Sequence, residues 1–142
     1  MQFIIDNMIL IAAALLSGTL LAWPMLTRGA GARNINTLGA TQLLNARNAL
    51  LIDLRETRET ARGIAPQALH IPLSSFESQV ADIKNRVSKG KAQSPVILMC
   101  QSGWRGMKAG RLLKKAGIEE VFNLEGGFDA WQQAGLPVKK SS

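Results

Sequence analysis

Tyrosine is absent, and cysteine and histidine each occur once, as Cys100 and His70. One cysteine cannot close an internal disulfide, so nothing here requires an oxidising compartment, and a lone thiol beside a turn needs surroundings that keep it reduced. One Cys and one His cannot supply three or four soft ligands, which excludes a zinc-type centre; no metal and no cofactor is expected. Lys84, Arg86, Lys89 and Lys91 are spread without interleaved aromatics. A net charge of +7 therefore does not point to nucleic acid, and a solvated face or attraction to an anionic leaflet is the expectation. Basic side chains are missing before Arg28, where Asp6 is the only charge. The basicity belongs to the C-terminal part.

Met8 to Leu26, MILIAAALLSGTLLAWPML, carries no charge at all. As a helix rising 1.5 Å per residue it measures about 28 Å, close to a hydrocarbon core of about 30 Å. Trp23 suits the interfacial belt, and Pro24 falls in the last turn. Ala30-Gly31-Ala32 resembles a signal-peptidase site, but the start lacks the basic region of a secretory signal and the apolar stretch is long. The expectation is a retained single-pass anchor over residues 1–27, with its transmembrane helix at about 8–26. Arg28 and Arg33 follow the helix and no basic residue precedes it, which puts the C-terminal domain in the cytoplasm.

The remaining length suits one ordinary domain. RGAGARN, residues 28–34, reads as a linker, residues 35–138 as the domain and 139–142 as a polar tail. Thr37 is expected to cap a helix carrying Leu38, Leu43 and Leu44, before a short buried strand over Ala49–Ile52 that ends at Asp53. Arg55–Arg62 reads as a loop with a helical turn, and Ala68–Leu73 as a second strand. Ser74 to Glu77 fits a capping box opening a helix to Val87, with Phe76, Val80, Ile83 and Val87 on one face. Pro95 to Met99 is a continuous apolar strand of the kind buried mid-sheet. A helix from about Trp104 to Ala116, a strand Val121–Leu124 and a helix through Trp131 complete the pattern. Alternating strands and helices give an α/β fold with an open parallel sheet, whose ligands bind beyond the carboxyl ends of the strands.

Cys100 stands at such an end. Taken alone, a cysteine closing an apolar strand is a small buried packing residue. Ser102-Gly103-Trp104-Arg105-Gly106 turns the reading towards a nucleophile, because packing does not call for small, donor-rich residues and an arginine. Backbone N–H groups of residues 101–105, backed by a helix N-terminus, would favour the thiolate without a histidine base.

These residues resemble the rhodanese-like sulfurtransferases. CQSGWR, Cys100 to Arg105, is similar to their active-site loop, and Leu51-Ile52-Asp53-Leu54-Arg55-Glu56 to their early Asp-x-Arg motif. Ala68 to Leu73 resembles the Ala-x-His/Asn-Ile-Pro-Leu strand, and Leu124-Glu125-Gly126-Gly127-Phe128, with Ala130-Trp131 and Leu136-Pro137, the C-terminal signature. The blocks stand in family order over about residues 35 to 138. The resemblance implies a rhodanese-like open parallel sheet with helices on both faces, here preceded by the transmembrane helix. It also implies double displacement: Cys100 takes a sulfane sulfur from a donor such as thiosulfate, becomes a persulfide, and passes it to cyanide or a thiol. Gln101, Ser102, Gly103, Trp104 and Arg105 would form the substrate-binding loop, and Asp53 with Arg55 a structural pair beside the cleft.

Some positions depart from the family. Gly63-Ile64-Ala65-Pro66-Gln67-Ala68 lacks the usual His and second Gly, and Gln101 stands where many members carry Arg, which should weaken attraction for anionic thiosulfate. Related phosphatases use a Cys-x5-Arg loop, whereas four residues separate Cys100 from Arg105 and position 106 is Gly. His70 and Trp131 read as structural. The second reading is a membrane-tethered scaffold or sulfur-relay module with an integral membrane-protein partner and little small-molecule turnover.

Overall fold

In a computed structural model, residues 1–27, 31–101 and 105–140 are described, and the chain divides into two compact units, Met1–Ala30 and Gly31–Ser142. The first unit holds α1, Gln2–Asp6, and α2, Met8–Thr27. Asn7 separates them, and its side-chain amide donates to the Phe3 carbonyl at 2.9 Å. The apolar side chains of α2 that are described, up to Trp23, are exposed, Ile9 to 85%. The helix expected over 8–26 is therefore present. Among the described residues no helix is long and apolar enough to cross a membrane, and the described side chains of α2 end at Trp23, short of the Leu26 at which the expected span closes.

The second unit contains β1 Arg33–Ile35, α3 Thr37–Ala46, β2 Leu50–Asp53, a 3₁₀ helix Thr57–Arg62, β3 Leu69–His70, α4 Leu73–Val87, β4 Val96–Met99, α5 Gly106–Lys115, β5 Val121–Leu124 and α6 Gly127–Gln133. The five strands form one parallel sheet in the order β1-β5-β4-β2-β3. All four residues of central β4 are buried, as its unbroken apolar run requires of a strand covered on both faces.

Strand alternation builds two cores. Ile52, Val96 and Leu98 face Phe76, Ile83 and Val87 of α4 and Ala109 and Leu113 of α5. Leu51, Ile97 and Met99 face Ala40 of α3 and Phe128 and Trp131 of α6. Each fully buried large apolar side chain contributes about 1.5–3 kcal/mol, so the α4 stripe alone fixes that helix on the sheet. The core reaches the end of β4, where Cys100 joins the α4/α5 side.

Several boundaries differ from expectation. Arg33 and Asn34, assigned to the linker, begin β1 and pair with Phe122 and Asn123. Asn36, not Thr37, caps α3, accepting from the Gly39 N–H at 2.8 Å. The second strand shrinks to Leu69–His70 because α4 starts at Leu73, and Pro72 caps it without a side-chain bond. The Ser74–Glu77 capping box is therefore absent. A reciprocal box forms instead between Glu56 and Glu59, opening the 3₁₀ helix. Lys139, assigned to the tail, exchanges both backbone hydrogen bonds with Ile64 at 2.9 Å.

Candidate active site

Cys100 follows the last residue of central β4 and is fully buried. Its carbonyl accepts from the Phe128 N–H at 2.7 Å, and the Gln101 carbonyl from the Asp129 N–H at 3.3 Å. The first turn of α6 thus takes both carbonyls. In a trans peptide N–H and C=O point in opposite directions, so the Gln101 N–H is turned away from α6. Gly127 makes this approach feasible: it has φ +54°, and a Cβ there would lie 2.0 Å from the Cys100 oxygen. Helix α5 begins at Gly106, just after the loop, so the positive end of its dipole follows Cys100 closely in the chain. Ser102, Gly103 and Trp104, and with them most of the expected amide cradle, lie outside the described residues.

At the far side of the loop, Arg105 Nη1 donates to Glu59 Oε1. The same oxygen accepts from the Glu56 N–H at 3.0 Å, so one carboxylate caps the start of the 3₁₀ helix and holds the loop arginine. The Arg105 hydrogen bond is the main cause that lowers the Glu59 carboxyl below its ordinary pKa, against desolvation, with help from the Glu56 N–H. Arg105 is raised in turn, first by the bond to Glu59 and more weakly by attraction to Glu59 and to Cys100. Both side chains are about one-fifth exposed. The sequence reading missed Glu59, although the Glu56-x-x-Glu59 spacing is the signal that would have found it.

Asp53 and Arg55 are brought together entirely inside the protein. Arg55 Nη2 and Nε donate to Asp53 Oδ2 and Oδ1 at 2.8 and 3.1 Å, and the Arg55 N–H donates to Oδ1 at 3.0 Å. Further bonds reach the Glu59 and Gly63 carbonyls at 3.1 and 2.8 Å, and the guanidinium lies 3.7 Å from the centre of the Phe128 ring. One arginine therefore ties β2 to the 3₁₀ helix and to Phe128 of α6, whose N–H holds the Cys100 carbonyl. His70 Nε2 donates to the Arg55 carbonyl at 2.6 Å, and Trp131 Nε1 to the Pro137 carbonyl at 2.8 Å. Among the described residues no group of three His, Cys, Asp or Glu side chains is placed to hold a metal ion. A groove of about 210 Å³ runs between β3 and α4, lined by residues such as His70, Gln79 and Arg86; neither Cys100 nor Arg105 borders it.

Position 106 is closed to a larger side chain. A Cβ on Gly106 would lie 1.9 Å from Asn123 Oδ1, and buried Asn123 is held in β5 with its amide donating to Asn34 at 3.4 Å. An arginine one residue further along the loop, as the longer phosphatase loop carries it, does not fit here.

The rhodanese-like domain description matches residues 39–134. A sulfurtransferase of Allochromatium vinosum is 34% identical over 98 residues, covering 68% of this chain and 84% of the relative. Among solved structures, the rhodanese-like domain protein of Staphylococcus aureus is similar at 29% identity and a TM-score of 0.59, over 78% of this chain and 99% of that one. The human single-domain sulfurtransferase is similar at 30% identity and a TM-score of 0.57, over 72% and 97%. On the matched domain and this sulfurtransferase relative, the chain belongs to the rhodanese-like sulfurtransferase family.

Proposed function

We propose that the chain is a membrane-anchored sulfurtransferase that moves sulfane sulfur through a persulfide on Cys100. The observation that carries the reading is the position of the thiol: at the carboxyl end of the central strand, opening a loop that ends on Arg105 and the positive end of α5. In the first half-reaction the Cys100 thiolate attacks the outer sulfur of a donor such as thiosulfate. The donor S–S bond breaks, its electron pair leaves with sulfite, and the new S–S bond is the persulfide. In the second, cyanide or a thiol attacks the terminal sulfur and the Cys100 thiolate returns. Gln101, Ser102, Gly103 and Trp104 form the binding loop with Arg105, while Asp53 and Arg55 hold its support.

Exposed apolar side chains along α2, and arginines only on its C-terminal side, support a single-pass anchor with the domain in the cytoplasm. Intact mass of the full chain after incubation with thiosulfate tests the chemistry. The expected result is a gain of about one sulfur atom, removed by cyanide and absent from Cys100→Ser. Complete burial of Cys100 favours the second reading, a tethered scaffold or sulfur-relay partner of a membrane protein. Failure to load, with partner binding that survives Cys100→Ser, would select it.

A further inference from the structure

The charges around the cysteine loop are not those of the whole chain. Two guanidinium groups and three carboxylates flank it: Arg55 is bound to buried Asp53, Arg105 to Glu59, and Asp129 stands on α6 opposite Gln101. These five groups sum to one negative charge, and Glu56, which also attracts Arg105, adds another, within a chain of net charge +7. Asp129 is fixed to the loop twice, since its N–H donates to the Gln101 carbonyl and its carboxylate accepts from Gln101 Nε2. Because Gln101 is neutral, that contact orients the carboxylate without cancelling its charge. The Asp129 side chain is exposed, so its field reaches an approaching donor through solvent.

We propose that Asp129 sets the donor class of this site, with Glu59 offsetting Arg105, so that sulfane sulfur carried on a group of at most one negative charge is preferred over dianionic thiosulfate. This rests on the sulfurtransferase reading and narrows its substrate. Coulomb energy scales with donor charge, so a rim carboxylate acts on a dianion with twice the free energy it exerts on a monoanion. The fold-change for the dianion is then the square of that for the monoanion.

The test compares kcat/KM of the full chain for thiosulfate, a dianion, and methanethiosulfonate, a monoanion that transfers the same sulfur and releases methanesulfinate. Asp129→Asn keeps an amide to meet Gln101. It should raise thiosulfate transfer about fourfold and methanethiosulfonate transfer about twofold at low salt, with the difference vanishing near 0.5 M salt. Asp129→Glu should keep the wild-type ratio, and Glu59→Gln should move it in the same direction as Asp129→Asn. Equal factors for both donors would show that Asp129 only shapes the loop, which overturns the proposal. If neither donor loads the wild-type chain, the sulfurtransferase reading fails, but selectivity is still read by alkylating Cys100. A higher rate ratio of iodoacetate to iodoacetamide in Asp129→Asn supports the rim charge, and an unchanged ratio rejects it.

Discussion

Asp53 and Arg55 are the residues on which the site's frame depends most. Removing one member of a buried ion pair leaves the other charge uncompensated, at a cost of about 3–5 kcal/mol. Asp53→Asn should therefore lower the urea midpoint strongly, whereas the same change at exposed Asp82, which pairs with Arg86 on α4, should cost well under about 1 kcal/mol. Gly127→Ala meets both an unfavourable φ and the Cys100 carbonyl. It should cost about 1–3 kcal/mol and reduce persulfide formation together, since the strain relaxes by moving the cysteine loop. Glu59 gives the site an acid limit. Its pKa is lowered by folding, so its stabilisation is complete above the ordinary value of 4.5 and is lost as pH falls through the folded-state value. Wild type should lose more stability than Glu59→Gln on titration from pH 5 downwards, and chemical denaturation at a series of pH values measures the difference. Arg105, raised by folding, keeps its contribution below its ordinary pKa and loses it only far above neutrality.

At the scale of elements, the caps separate what was legible from what was not. Asn36→Ala should cost α3 about 1 kcal/mol, seen as a Tm drop of a few degrees, while Thr37→Ala should cost less because Thr37 is already inside the helix. The apolar run of β4 and the stripe Phe76, Ile83, Val87 of α4 could be read directly, because burial on both faces or along one face leaves a periodic trace. Strand β1 leaves none: Arg33 and Asn34 are exposed edge residues, and their place is decided by pairing with β5. The Ser74–Glu77 spacing fits a box but loses to Pro72, which caps α4 two residues earlier. The cysteine and its arginine were legible as chemistry. Of their carboxylate neighbours, Glu59 was legible as a cap from its spacing to Glu56 but not as the partner of Arg105, and Asp129 was not legible, since each reaches the loop from an element distant in sequence.

For the whole molecule, the proposed anchor would decide where the chemistry happens. The full chain should stay with membranes through a carbonate wash, and a chain beginning at Gly31 should be released; recovery of both in the soluble fraction would reject the anchor. The order β1-β5-β4-β2-β3 also has a consequence for synthesis. Asn34 of the first strand pairs with Asn123 of the last, 89 positions later. During translation the first strand has no neighbour until β5 has emerged from the ribosome, and the edge of β4 that β5 will pair with stays open for the same interval. The growing chain carries its cysteine on an unfinished sheet, and completion of the C-terminal third closes the sheet and, through the first turn of α6, fixes the loop in one event.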